Sequence, residues 1–223
     1  MKRFLLGTLY DIGLAFIPVL LGYAVGEVGR VVTARRSLVL WGCLALLCAL
    51  WLAFMPNTCY LITEWRHFLD HVDSRNLYQR SKTDRGLLFD INLWVLFYLF
   101  FSGAGVLAFT LAIRPVERLL RQWRLPFLLL APFLFASLSL GVYLGLIKRF
   151  NSWDLLAHPG AIWKVVAAVP QRPMLVTSIL IFALLLWALY EAMDIWVDGV
   201  VERTKRLRMG RGGAGATSGK AKK

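Results

Sequence analysis

Glu64, His67 and His71 stand at i, i+3 and i+7, so one helix face would carry a carboxylate and two imidazoles side by side. A histidine beside a carboxylate can pass a proton near neutral pH, because the carboxylate orients the ring and supports its charged form. The same three groups could serve as metal ligands, since an open catalytic zinc site takes three protein donors. No His-Glu-x-x-His occurs, however, and metal is the weaker reading. Asp90 and Asp154 are carboxylates far away in the chain that His67 could also use if the fold brings them together. No serine elbow, phosphate-binding loop or dinucleotide glycine pattern is present.

Such groups need elements to hold them. Hydrophobic residues make up 58% of the chain and charged residues 17%, where a soluble domain has about half and about a quarter. Five stretches are nearly free of charge: 4–25, 38–55, 87–113, 126–147 and 174–197. As helices rising 1.5 Å per residue, each can cross a hydrocarbon core about 30 Å thick. They lack the alternation of barrel strands. The expected fold class is all-α, a polytopic integral membrane helix bundle with about five transmembrane helices and short interfacial ones. One membrane domain covers residues 1–201, and a disordered basic tail follows over 202–223. The first stretch exceeds the roughly 7–15 residues of a signal-peptide core and reads as a span. Cys43, Cys48 and Cys59 form no disulfide or zinc-ribbon pattern.

The net charge of +13 would suggest nucleic acid in a soluble protein. Here the basic residues lie in connections and tail, with no nucleic-acid motif, so no nucleic acid is expected. The partners implied are the lipid bilayer and anionic lipid headgroups at the tail, whose ERTKRLRMGRGGAGATSGKAKK holds eight Lys and Arg. Protein partners and cofactors are not readable. With five spans, 15 Lys and Arg fall on the C-terminal side and 11 on the other, which favours a cytoplasmic C-terminus and an outside N-terminus. A sixth span over 155–169 would divide the charges better. That segment is short, interrupted by His158-Pro159-Gly160, and carries Lys164. It reads as interfacial or re-entrant, with Leu155, Leu156, Ile162, Trp163 and Val166 on its buried face. Five spans also place an Arg114, Arg118, Arg121 stripe on the same side as a Glu191, Asp194, Asp198, Glu202 stripe. Arg118 would then approach Asp194 or Asp198; otherwise both stripes are solvated.

The stretch MPNTCYLITEWRHF follows the second span. Pro56 is expected to stop that span and Asn57 to cap the next helix. Leu61, Trp65, Phe68 and Val72 then recur at helical spacing, which predicts an amphipathic helix at the membrane surface. A second polar constellation, RFNSWDLLAHPG, follows the fourth span, where Asn151 or Ser152 can cap a short helix and Asp154 suits its first turn. Both constellations, with Asp11 and Asp90, fall on one side of a five-span protein.

The stretches PNTCYLITEWRHF, LLFDINLW and YLGLIKRFNSWDLLAHP resemble the domain of unknown function 1361 family, predicted bacterial membrane proteins. Asn57, Tyr60, Thr63, His67, Asp90, Asn151, Ser152, Trp153 and Asp154 match its pattern over roughly residues 40–195. Thr58-Cys59, Glu64 and Leu146 depart from it, the last removing a second arginine beside Arg149. The resemblance implies a bacterial cytoplasmic-membrane location and supplies no reaction. The reading that follows is a polar site at the outer membrane face that binds or acts on a small or lipid-linked ligand. His67, Glu64, Asp90 and Asp154 are its candidate catalytic groups. Asn57, Tyr60, Thr63, Arg149, Asn151, Ser152 and Trp153 are its candidate binding groups. The alternatives are a non-catalytic accessory subunit of a membrane complex and a small transporter component.

Overall fold

The computed structural model describes residues 2–35, 37–150 and 154–217, and among them there is no strand. Ten α-helices follow one another: α1 (Lys2–Arg35), α2 (Leu38–Phe54), α3 (Pro56–Thr63), α4 (Trp65–Ser74), α5 (Leu77–Ser81), α6 (Arg85–Gln122), α7 (Phe127–Val142), α8 (Asp154–Ala157), α9 (Pro159–Ala167) and α10 (Pro173–Thr217). Five stretches are long and apolar enough to cross a membrane: Tyr10–Arg35, Leu38–Ser74, Arg85–Gln122, Phe127–Ile147 and Pro173–Leu207. The protein is therefore an all-α, polytopic membrane helix bundle, and 155–169 is not among its spans. Large apolar residues of α7 and α10 face outward, including Leu129, Phe133, Ile181 and Leu184, as a lipid-facing surface requires.

The seam between α1 and α6 is the most extensive helix contact. Gly22, Gly26 and Gly29 recur at i, i+4 and i+7 on α1 and let the two backbones approach. A Cβ on Gly22 would stand 2.3 Å from the carbonyl oxygen of Ala112, and one on Gly29 would stand 2.2 Å from Leu119 Cδ2. The indole Nε1 of Trp51 donates to that same Ala112 oxygen at 3.0 Å and ties α2 to the seam. Phe109, Phe135, Tyr190 and Leu186 fill the centre where α6, α7 and α10 meet.

The segment after the second span departs from expectation. Met55 and Glu64 keep right-handed helical backbone, so α2, α3 and α4 succeed one another with little interruption. Pro56 is the first residue of α3, where its missing amide costs nothing, and Asn57 lies inside that helix rather than capping it. Nor does α3 lie at the surface: Pro56, Asn57, Thr58, Cys59 and Leu61 are all buried, between α1, α6 and α7. The Thr58 hydroxyl donates to the Met55 carbonyl at 2.8 Å and that of Thr63 to Tyr60 at 3.0 Å, so these polar groups are satisfied locally. The apolar stripe falls as predicted in one respect, because Phe68 is buried and Trp65 donates to Ser102 Oγ of α6 at 2.8 Å.

Other details differ too. Asp84 caps α6, accepting from the amides of Gly86 at 2.9 Å and Leu87 at 3.2 Å, which places the helix start ahead of Asp90. Pro159 opens α9 instead of breaking a helix, and Trp163, expected to be buried, is 71% exposed while Ile162 is buried. The last helix runs on to Thr217, past the Glu202 where the sequence reading begins a disordered tail.

The two charged stripes do meet, but through Arg114, one helical turn before the expected Arg118. Arg114, buried on α6, bonds Asp194 through Nε at 2.9 Å and also pairs with Asp198. Glu117, likewise buried, accepts from the Tyr190 hydroxyl and pairs with Arg121. Arg118 is exposed. The inner face of α6 is set by Arg114, Glu117 and Arg121, and Arg118 sits about 100° round the helix from its neighbour Glu117.

Two expectations follow, both measurable by thermal or denaturant unfolding in detergent. Arg114→Gln strands two carboxylates and costs about 3 kcal/mol, whereas Arg118→Gln stays within about 0.5 kcal/mol; coupling to Asp194→Asn should appear in a double-mutant cycle. Gly22→Ala forces the seam apart at a cost of about 1–3 kcal/mol. Gly13→Ala, with nothing within 4 Å of its Cβ, is neutral or slightly stabilising.

Candidate functional site

Three helices build a cavity of about 470 Å³ at the opposite end of α6 from the Arg114 network. The amino-terminal part of α1 brings Gly7 and Asp11, α4 brings Glu64's neighbours His67, Phe68 and His71, and Glu64 itself sits at the α3–α4 junction. The facing wall is α6, where Trp94, Phe97, Tyr98 and Phe101 recur at helical spacing. These rings are packed on one another and on α4. Phe97 and Phe101 stack with centroids 5.7 Å apart, and Tyr98 lies 5.5 Å from Phe68 and 5.9 Å from Trp65. A wall braced in this way holds its shape.

Within the cavity, His67 Nε2 lies 3.8 Å from Glu64 Oε1. His67 is 58% exposed at its side chain and Glu64 is 29% exposed, so the pair borders water while its carboxylate is sheltered. The imidazole of His71, one turn further on, lies beside Trp94 with ring centroids 6.4 Å apart. A ring near a carboxylate, a second carboxylate on another helix and a nearby phenol are what proton transfer to a bound molecule needs. Metal ligation is another matter: among the described residues no three His, Cys, Asp or Glu side chains gather as a ligand set, Glu64, His67 and His71 included.

The remaining sequence candidates lie elsewhere. Asp90 is exposed on α6 and Asp154 begins α8; neither lines this cavity. Asp154 Oδ1 lies 3.6 Å from His158 Nδ1, so its histidine is its own helical neighbour and not His67. Asn57 is buried inside α3. Tyr60 lines a second, apolar cavity of about 330 Å³ with Phe150 and Ile162, its hydroxyl seated against Gly145, where any Cβ would collide with it. Thr63 is spent on its own helix. Arg149 is exposed with φ of 60°, so it turns the chain after α7 in a left-handed conformation more often given to glycine. Asn151, Ser152 and Trp153 lie outside the described residues. Tyr98 and the rest of the aromatic wall were missed by a search for titratable groups, although their spacing on α6 is visible in the sequence.

A family model described as protein of unknown function (DUF1361) matches residues 10–188, and the chain belongs to that family. No curated protein and no solved structure matches it.

Cysteine reactivity checks the geometry. In detergent, on a background without Cys43 and Cys48, a His71→Cys protein should react readily with a polar maleimide. Cys59, with no exposed surface, should react only after unfolding. Equal reactivity of both would contradict the packing of α3.

Proposed function

We propose that the cavity between α1, α4 and α6 binds a small or lipid-linked ligand, on which His67, oriented by Glu64, acts as proton donor and acceptor. The observation that carries this reading is one cavity, about 470 Å³ in volume, where Asp11, Glu64, His67 and His71 face an aromatic wall. Its volume falls within the roughly 300–1,000 Å³ common for small-molecule sites, and its mixed lining matches theirs: a broad apolar wall with a few convergent polar groups. An amine or hydroxyl of the ligand would find Asp11 and Glu64, and a ring, chain or cationic head would lie against Trp94, Phe97 and Phe101. A fixed acid–base pair of this kind contributes about 10²–10⁴-fold to a rate. We place this end of the bundle outside the cytoplasm, on the balance of basic residues between the two sides. A ligand in that compartment, or one carried in the outer leaflet, would then enter without crossing the bilayer.

Complementation of a deletion strain tests the assignment. His67→Ala and Asp11→Asn should each abolish the function at normal membrane abundance, and the two together should be no worse than either, because residues acting as a unit are non-additive. Asp70→Asn, exposed on α4 and outside the cavity, should complement fully. Full complementation by the His67→Ala protein would refute the acid–base role. In intact cells, the His71→Cys protein should be labelled by a membrane-impermeant maleimide; labelling only after lysis would reverse the orientation.

A further inference from the structure

Three cations meet in a pocket that shares no lining residue with that cavity. Lys148 follows the π-helical turn Tyr143–Ile147, Lys164 lies in the last turn of α9, and Arg172 immediately precedes α10. Together with Tyr143, Val169 and Leu175 they line a pocket of about 170 Å³. No carboxylate lines it, and among the described residues none of the three cations makes an ion pair or a side-chain hydrogen bond. That sets them apart from Arg30, Arg114, Arg121 and Arg206, each of which has an acidic partner. Three segments of chain thus bring three exposed cations to one pocket, a concentration of positive charge that favours an anion.

The dimensions limit what the anion can be. The pocket is smaller than the roughly 300–1,000 Å³ of sites for drug-sized molecules, so it takes a charged group and not a whole nucleotide. The amino-terminal end of the long helix α10 adds its positive dipole. Exposed apolar side chains stand next to these cations in the chain, Trp163 beside Lys164 at 71% exposure and Met174 near Arg172 at 86%, residue types that suit a headgroup layer. We propose that Lys148, Lys164 and Arg172 form a site for a phosphate group, supplied either by the headgroup of an anionic phospholipid or by free phosphate. The site is separate from the Asp11–His67 cavity and does not depend on the function assigned there.

Native mass spectrometry of the full-length protein in neutral detergent tests this. Phosphatidylglycerol should be retained saturably, and diacylglycerol, which lacks the phosphate, should not. The Lys148→Gln/Lys164→Gln/Arg172→Gln protein should bind phosphatidylglycerol about tenfold more weakly or worse, on the scale of losing charged hydrogen bonds. Lys148→Arg/Lys164→Arg should retain it, which separates lost charge from lost folding. Lys164→Gln alone, on the exposed face of α9, should weaken binding measurably if the triple variant fails to elute as a monodisperse species. Lys82→Gln/Arg85→Gln, exposed cations outside the pocket, should bind as the unaltered protein does. Displacement of the lipid by millimolar inorganic phosphate would identify the free ion as a ligand; retention of the lipid under phosphate would identify the headgroup. Unchanged binding of both phosphatidylglycerol and phosphate in the glutamine variants would overturn the proposal.

Discussion

The close approach of α1 to α6 is the contact on which the rest of the molecule depends. Lipid tails are as apolar as leucine, so helices in a bilayer gain little from burying greasy surface against one another and rely on close packing and on polar contacts. Gly22, Gly26 and Gly29 supply the first and the Trp51 bond to the Ala112 carbonyl supplies the second. Once α1 is fixed on α6, Asp11 faces the aromatic wall on the same helix, and α3 has two surfaces to be buried against. Move α1 by the width of a methyl group at Gly22 and all three arrangements lose their register.

α6 is then the common frame for two kinds of polar chemistry. Near its carboxyl end Arg114 is neutralised by Asp194 and Asp198 of α10, and Glu117 is paired with Arg121 and hydrogen-bonded by Tyr190 of α10, leaving little free valence for a ligand. Near its amino end the titratable groups come from α1 and α4, border water and are not all paired off. From Tyr98 to Glu117 the helix rises roughly 28 Å, about the thickness of a hydrocarbon core. Polar groups at one end therefore hold the bundle together while those at the other remain available.

Much of this was legible in the residues. The five apolar runs define the spans, because a charge inside a bilayer is costly and its absence over about 18 residues is informative. The acidic and basic stripes announced a meeting of α6 with α10, although sequence spacing alone does not say which face of α6 turns inward, and Arg118 was chosen where Arg114 belongs. Glu64, His67 and His71 line one cavity, and their closeness is a local property of consecutive turns. Their partners are not local. Asp90 and Asp154 were the distant carboxylates that the sequence offered to His67, and only the tertiary arrangement puts Asp11 in the cavity in their place. The burial of α3 was hidden for a similar reason: a polar residue such as Thr58 reads as surface unless its local hydrogen bond and the small residues waiting on α6 and α7 are known.

That burial has a consequence in time. α3 is covered by α6 around Gly105, by α7 around Gly141 and by the π-helical turn around Gly145, all of which are synthesised after it. At about 5–20 residues per second, the roughly 40 residues from Thr63 to Gly105 take about 2–8 s to make. Throughout that interval the nascent chain holds a polar, proline-initiated helix at the end of its second span with only α1 and α2 beside it. Its burial in the bundle is therefore a late event of biogenesis, set by the arrival of the later helices.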